Sequence, residues 1–249
     1  MNYKKYSDKT WDLIKQTIQK KKADGQKLLA VFDADGTLWD CDLGENFFQY
    51  QIDHKQVPLP ENPFQHYLDL KKINNDPRLA YVWLAQINKG LPLVQVQKWA
   101  DLAFASIQPN PIFEEQKKLI QLLKENDVQI YIVTASIKWA VEPGARALGL
   151  TNDSVIGVET EINNGIVTET PVLPITYRAG KVEGLKKHIQ NQRPFLGSGN
   201  SIGDFELLDF CTDIRLVVSA ASMDDRLYKS EKELHVEAEK KNWIIHRFI

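Results

Sequence analysis

Two carboxylates, Asp33 and Asp35, stand directly after five apolar residues, Leu28 to Phe32. An unbroken apolar run of this length predicts a strand buried on both faces of a parallel sheet. While the chain stays extended, residues two apart leave it on the same side, so both acids exit the strand end together. Gly36 then permits a sharp departure from the strand. In a plain acidic turn, Asp and Gly would serve turn propensity alone. Converging carboxylates instead repel each other unless a cation sits between them or one of them holds a proton, and either arrangement suggests chemistry.

Three further groups lie where such chemistry needs them. The run from Val128 to Val133 predicts a second buried strand, which leads into Thr134-Ala135-Ser136. Open α/β sheets bind ligands at the carboxyl ends of their strands, and a hydroxyl there can donate to a phosphoryl oxygen. Ser136 is expected to N-cap a helix over residues 137–148, leaving Thr134 free. Lys181 stands near the start of a helix that runs through Ile189, against the helix dipole. A bound phosphate would account for that position. Between Pro194 and Leu208 a short strand breaks into a Gly-rich loop that carries Asn200 and Asp204. The loop is no dinucleotide fingerprint, because its third glycine, Gly203, falls one residue late and the loop comes near the end of the chain and not in an opening βαβ unit.

The string Asp33-Ala34-Asp35-Gly36-Thr37-Leu38 resembles the first motif of the haloacid dehalogenase superfamily of phosphotransferases. Thr134 resembles the second motif, Gly180-Lys181 the third, and the loop bearing Asn200 and Asp204 the fourth. The four occur in family order over residues 28 to 218. The resemblance implies a nucleophile at Asp33, a general acid/base at Asp35, and phosphate binding by Thr134 and Lys181. It also implies Mg²⁺ held by Asp33, the backbone carbonyl of Asp35, Asn200 and Asp204. The chain departs from the pattern at Asn200, where the family usually has a metal-binding Asp. An amide oxygen still coordinates a hard cation but brings no charge, so weakened Mg²⁺ binding is expected.

The elements that must position these groups follow from the rest of the chain. At 249 residues, 43% hydrophobic and 26% charged, the chain can form one good core and a smaller lobe. A net charge of −2 gives no electrostatic footprint for nucleic acid or an anionic membrane. The two cysteines, Cys41 and Cys211, have no metal-type spacing and fit a reducing cytosol. No signal-peptide core or membrane-length apolar stretch is present, and a cytoplasmic location is expected. Trp11, Ile14 and Ile18 predict a leading helix closed at Asp24-Gly25.

From residue 41 to 110 the apolar residues recur at three- and four-residue spacing with Pro and Gly between groups, which predicts a helical insert. Set directly after the acid-bearing strand, it is placed to act as a lid. Asn164-Gly165 predicts a hairpin over residues 155–168 that flanks the main sheet. The expected architecture is a doubly wound α/β parallel sheet, a Rossmann-like core of residues 1–43 and 111–249, with a helical cap over 44–110. The cap resembles that of the phosphoserine-phosphatase-like branch. Trp39, Asp42, Glu45 and Arg178 are expected near the substrate, with Trp39 suggesting cation–π contact to a quaternary ammonium such as phosphocholine. The implied activity is Mg²⁺-dependent hydrolysis of a small phosphate monoester through an aspartyl-phosphate. The alternatives are a weakened binding protein on the same fold, or phosphoryl transfer to an acceptor other than water.

Overall fold

In the computed structural model, which describes residues 3–190 and 192–249, the chain opens with helix α1 (Asp8–Ala23). The Ser7 hydroxyl caps it by accepting from the Thr10 N–H at 3.2 Å, and Lys20, Lys21 and Lys22 complement the dipole in its last turn. Strand β1 (Leu29–Phe32) follows with all four side chains buried. The insert comes next as helices α2 (Leu43–Asp53), α3 (Pro63–Leu70), α4 (Arg78–Gln86) and α5 (Leu93–Ala105). The chain then returns through α6 (Glu114–Glu125), β2 (Gln129–Ile137), α7 (Lys138–Ala147), β3 (Val155–Val158) and the hairpin strands β4 (Thr160–Asn163) and β5 (Ile166–Pro171). It closes with α8 (Ala179–Lys186), β6 (Leu196–Gly199), α9 (Phe205–Phe210), β7 (Ile214–Ser219), α10 (Tyr228–Lys240) and β8 (Ile244–Arg247).

Six strands form one sheet in the order β3-β2-β1-β6-β7-β8, with every adjacent pair parallel. Side-chain alternation divides β1 between two cores. Ala30 and Phe32 pack with Ile14, Ile18, Leu119 and Leu123 of α1 and α6. Leu29 and Val31 pack with Leu185 of α8 and Leu207 of α9. Burial on both faces is the reason the strand reads as an unbroken apolar run. From β1 the chain winds outward to β2 and β3, then returns to β6 on the other side. The strand order therefore reverses beside β1, and the crevice at the carboxyl ends of β1 and β6 is the place where such sheets bind ligands.

The structure revises three local expectations. Strand β2 runs on to Ile137, so α7 starts one residue later than a Ser136 cap requires, and Ser136 is not its N-cap. The predicted hairpin begins at Thr160, because residues 155–158 belong to the main sheet as β3. The hairpin also joins the cap and does not flank the sheet. Val167 is buried in the cap core, and the Gly90 and Leu93 N–H groups donate to the Val167 and Gly165 carbonyls, each at 2.8 Å. Beyond these, β8 adds an edge strand after Trp243, paired in parallel with β7. Among the described residues no helix is long and apolar enough to cross a membrane.

Glu115 ties the N-terminal segment to this framework. Its buried carboxylate accepts from the Tyr6 N–H at 3.0 Å and the Trp11 indole N–H at 3.1 Å, and pairs with Lys118 at 2.7 Å. Burial opposes its charge, but the bonds from Lys118, Tyr6 and Trp11 outweigh burial and hold its pKa below the usual value. A depressed carboxylate stabilises the fold above its unfolded pKa and loses that contribution as pH falls through the folded value. Glu115→Ala is therefore expected to cost about 1–3 kcal/mol at neutral pH. The gap to wild type should narrow at acid pH in urea titrations; a gap that persists there contradicts the account.

Candidate active site

The ladder of β1 carries the first acid into place. The Asp33 N–H continues the sheet by donating to the Ser198 carbonyl at 2.9 Å, and the chain then turns, with the Leu38 N–H returning to the Ala34 carbonyl at 2.8 Å. Gly36 occupies that turn with φ +74°. A Cβ there would lie 2.1 Å from the Asn200 amide nitrogen, so only glycine admits both the turn and the approach of the β6 loop.

Asp33 is buried and its two oxygens face different groups. Oδ1 accepts from the Lys181 ammonium at 2.5 Å, and Oδ2 accepts from the Thr37 hydroxyl at 3.1 Å. Lys181, buried at the start of α8, also reaches Asp204 Oδ1 at 2.5 Å. Burial works against the ammonium, but the two carboxylates more than offset it and keep the pKa above the ordinary lysine value. Burial and the nearby Asp204 raise Asp33, and Lys181 opposes them, leaving its pKa at about 6.

Asp35 has a separate environment. Oδ1 accepts from the Trp39 indole N–H at 2.7 Å and the Leu43 N–H at 2.8 Å, and Oδ2 from the Ser136 hydroxyl at 2.5 Å. Burial, with help from Asp42, raises its pKa to about 8 despite these donors. Neighbouring acids whose pKa values are pushed in this order divide naturally into a base or nucleophile and an acid. Thr134 is buried within β2, which runs on past it to Ile137, and its hydroxyl oxygen accepts from the Ser136 N–H at 3.0 Å. Its own hydroxyl proton has no acceptor among the described residues.

The fourth-motif loop supplies the remaining oxygens. Asn200 Oδ1 faces the Thr37 hydroxyl at 3.2 Å, and its amide nitrogen donates to Glu231 at 3.4 Å. The single Thr37 proton cannot serve Asp33 Oδ2 and Asn200 Oδ1 at once. One of these oxygens is thus left for another electrophile, an arrangement suited to a hard cation. Among the described residues no group of three or more His, Cys, Asp or Glu converges as a metal cluster. Both Asp204 oxygens are engaged: Oδ1 with Lys181, and Oδ2 with the Asn200 N–H at 3.1 Å, the Ser201 N–H at 2.9 Å and the Ser201 hydroxyl at 3.2 Å.

Asp33, Asp35, Thr134, Lys181, Asn200 and Asp204 line one cavity of about 130 Å³ between the sheet and the cap. Asp42 also lines it, while capping α2 through the Glu45 N–H at 2.8 Å. The other three expected substrate contacts lie outside it. Trp39 is completely buried against Gly144 and orients Asp35. Glu45 sits behind the wall, paired with Lys71 at 3.0 Å and with Arg226. Arg178 is exposed, leans on the Tyr177 ring and faces a neighbouring cavity beside Arg78. Sequence reasoning missed Ser136, Thr37 and the cap residues Tyr67, Lys71 and Tyr81. The hydroxyls were visible beside the motifs, whereas nothing in the helical spacing of the insert marks which Tyr or Lys turns inward.

Asn200 and Glu231 form a buried amide–carboxylate pair, with Glu231 also accepting from the Ala221 N–H at 3.1 Å. Asn200→Asp would set two carboxylates against each other. It is expected to lower stability by about 1–3 kcal/mol, and Glu231→Gln in the same chain should recover most of that loss. Urea unfolding of both single variants and the double variant measures the coupling; strict additivity would count against it.

Comparison with known proteins agrees with this fold. Residues 30–209 match the model of the haloacid dehalogenase-like hydrolases. A phosphorylcholine phosphatase of Pseudomonas aeruginosa is 24% identical over 238 residues, covering 69% of this chain and 68% of its own. Among solved structures, a protein of unknown function from Bordetella pertussis superposes with a TM-score of 0.72 at 17% identity, covering 89% of this chain and 98% of its own. A phospho-aspartyl intermediate analogue of phosphoserine phosphatase superposes with a TM-score of 0.54 at 16% identity, covering 89% and 93%. With most of its length matched by the family model and its four motifs gathered at one cavity, the chain belongs to the haloacid dehalogenase-like hydrolase family.

Proposed function

We propose that the protein is a phosphatase that hydrolyses a small phosphate monoester, with Asp33 as nucleophile and Asp35 as general acid and base. The observation that carries this reading is the pair of acids at the sheet mouth, one beside a buried ammonium and the other held with a raised pKa. An Asp33 oxygen attacks phosphorus and the ester oxygen departs with the proton of Asp35, giving an aspartyl-phosphate and a free alcohol. Asp35, now ionised, takes a proton from water as that water attacks phosphorus, which releases phosphate and regenerates both carboxyl groups.

A carboxylate approaching a phosphate dianion meets like-charge repulsion of about 4 kcal/mol for one pair of unit charges 4 Å apart at an effective dielectric near 20. Lys181 offsets it from inside the fold, and Thr134 has a hydroxyl proton to give to a phosphoryl oxygen. Asp33, the Asp35 backbone carbonyl and Asn200 would hold Mg²⁺, which would neutralise phosphoryl charge when bound. Asp204, with both oxygens engaged, we assign to holding Lys181 and the loop. A cytoplasmic setting remains our reading of the two free cysteines, Cys41 and Cys211. The named relatives act on phosphorylcholine and phosphoserine, which supports a small phosphorylated substrate here.

The test is phosphate release from p-nitrophenyl phosphate across a Mg²⁺ titration. Asp33→Asn should lower kcat by at least about a thousandfold while the fold remains intact by circular dichroism. Substantial residual turnover would remove the nucleophile assignment, and a wild-type protein inactive at every Mg²⁺ concentration would favour a binding role. Adding alcohol acceptors and tracking phosphate against transferred ester separates hydrolysis from transfer.

The pH dependence has a defined shape. Asp33 must be ionised, so kcat/KM should fall as pH drops through about 6. Asp35 must be protonated, so kcat/KM should fall again as pH rises through about 8. Asp35→Asn should remove the alkaline limb for alkyl esters, measured as the kcat/KM profile; an unchanged limb would assign it to another group.

A further inference from the structure

Above the two acids, the cavity roof has the composition of a cation cage. The rings of Tyr67 and Tyr81 face it from α3 and α4, and the carboxylate of Glu45 lies behind them. Aromatic faces backed by an anion are what a quaternary ammonium requires. That position is already filled from within. The Lys71 ammonium lies 4.5 Å from the Tyr67 ring centre, 5.5 Å from that of Tyr81 and 3.0 Å from Glu45 Oε1, and Lys71 itself lines the cavity.

We propose that Lys71 is the specificity residue of this site: it closes the cage to cationic alcohols and reads an anionic group at the end of the substrate remote from the phosphate. This rests on the phosphatase reading. A fixed ammonium in the roof repels a second cation, by about a hundredfold in binding for unit charges about 6 Å apart at an effective dielectric near 20. It can also turn to a substrate anion without stranding a buried carboxylate, because Glu45 keeps a second cationic partner. Arg226, in the loop before α10, pairs with Glu45 Oε2 while Lys71 pairs with Oε1. The half-buried lysine is thus backed by an arginine that holds Glu45 in place when Lys71 engages substrate. Trp39, the residue whose position in the sequence suggested a choline contact, is sealed inside the core and takes no part.

The experiment compares kcat/KM for three esters: phosphocholine, its neutral tert-butyl-ended isostere, and phosphoglycolate. Wild type should use phosphocholine about a hundredfold less well than the neutral isostere, with phosphoglycolate the best of the three. Lys71→Met should bring phosphocholine and the isostere within about threefold of each other and remove the advantage of phosphoglycolate, whereas Lys71→Arg should keep the wild-type order. Circular dichroism checks that each variant is folded. The wild-type ratios stand as a test even if Lys71→Met does not fold. Phosphocholine used as well as its isostere by wild type, or ratios unmoved in folded Lys71→Met, would overturn the assignment while p-nitrophenyl phosphate turnover leaves the phosphatase reading standing. A wild-type protein that hydrolyses none of these esters, the aryl phosphate included, would overturn both.

Discussion

A single buried ammonium holds the centre of this protein together. Lys181 bridges Asp33, from the end of β1, and Asp204, from the loop after β6, with 2.5 Å to each. Two carboxylates taken out of water beside each other are strongly unfavourable without such a partner, and removing the partner would leave them uncompensated. The geometry that supplies it is global: β1 and β6 are neighbours in the sheet, and α8 begins against their carboxyl ends. The same contact therefore sets the charge of Asp33, the placement of the fourth-motif loop and that of the helix start. Asp204 transmits this outward, because its second oxygen gathers the N–H groups of Asn200 and Ser201.

The two acids of the first motif show how one turn of chain makes two different environments. Asp33 remains attached to the sheet ladder and meets Lys181 and Thr37. Asp35, two residues on, is released by Gly36 into a pocket made by Trp39, Leu43 and Ser136. Trp39 is placed by close packing on Gly144, where a Cβ would lie 2.7 Å from the indole ring. Asp35 is thus positioned through Trp39 by core packing in α7. Asn200 and Glu231 show the same economy of charge, an amide where a second carboxylate would face a first.

Much of this was legible in the sequence because the motifs are local. An apolar run, an acid pair and a glycine report a strand end without knowledge of the rest of the fold, and each of the six motif residues lines the cavity. What was not legible depended on direction or on partners distant in the chain. Trp39 is close to Asp35 in sequence, but proximity does not say that its ring faces the core. Arg178 precedes the helix of Lys181 yet exits to the neighbouring cavity, since it stands outside the first turn with φ +50°. Lys71 and Arg226 meet at Glu45 from elements more than 150 residues apart, as the separation of 181 between Arg226 and Glu45 makes plain. Strand β8 was hidden because an edge strand is half solvated and its short mixed sequence lacks the apolar continuity of the interior.

The hairpin attached to the cap has a mechanical consequence. An insert carried by one excursion of chain is joined to its core by two linkers and can swing about them as a single hinge. Here the hairpin leaves the core after β3 and returns before α8, and its backbone is bonded to the insert through Gly90, Leu91 and Leu93. The chain therefore crosses between the two lobes four times, at two separate places, and a swing about one pair of crossings would strain the other. The roof over the acids is thus braced at two places, through the chain on either side of the insert and through the hairpin bonded to it.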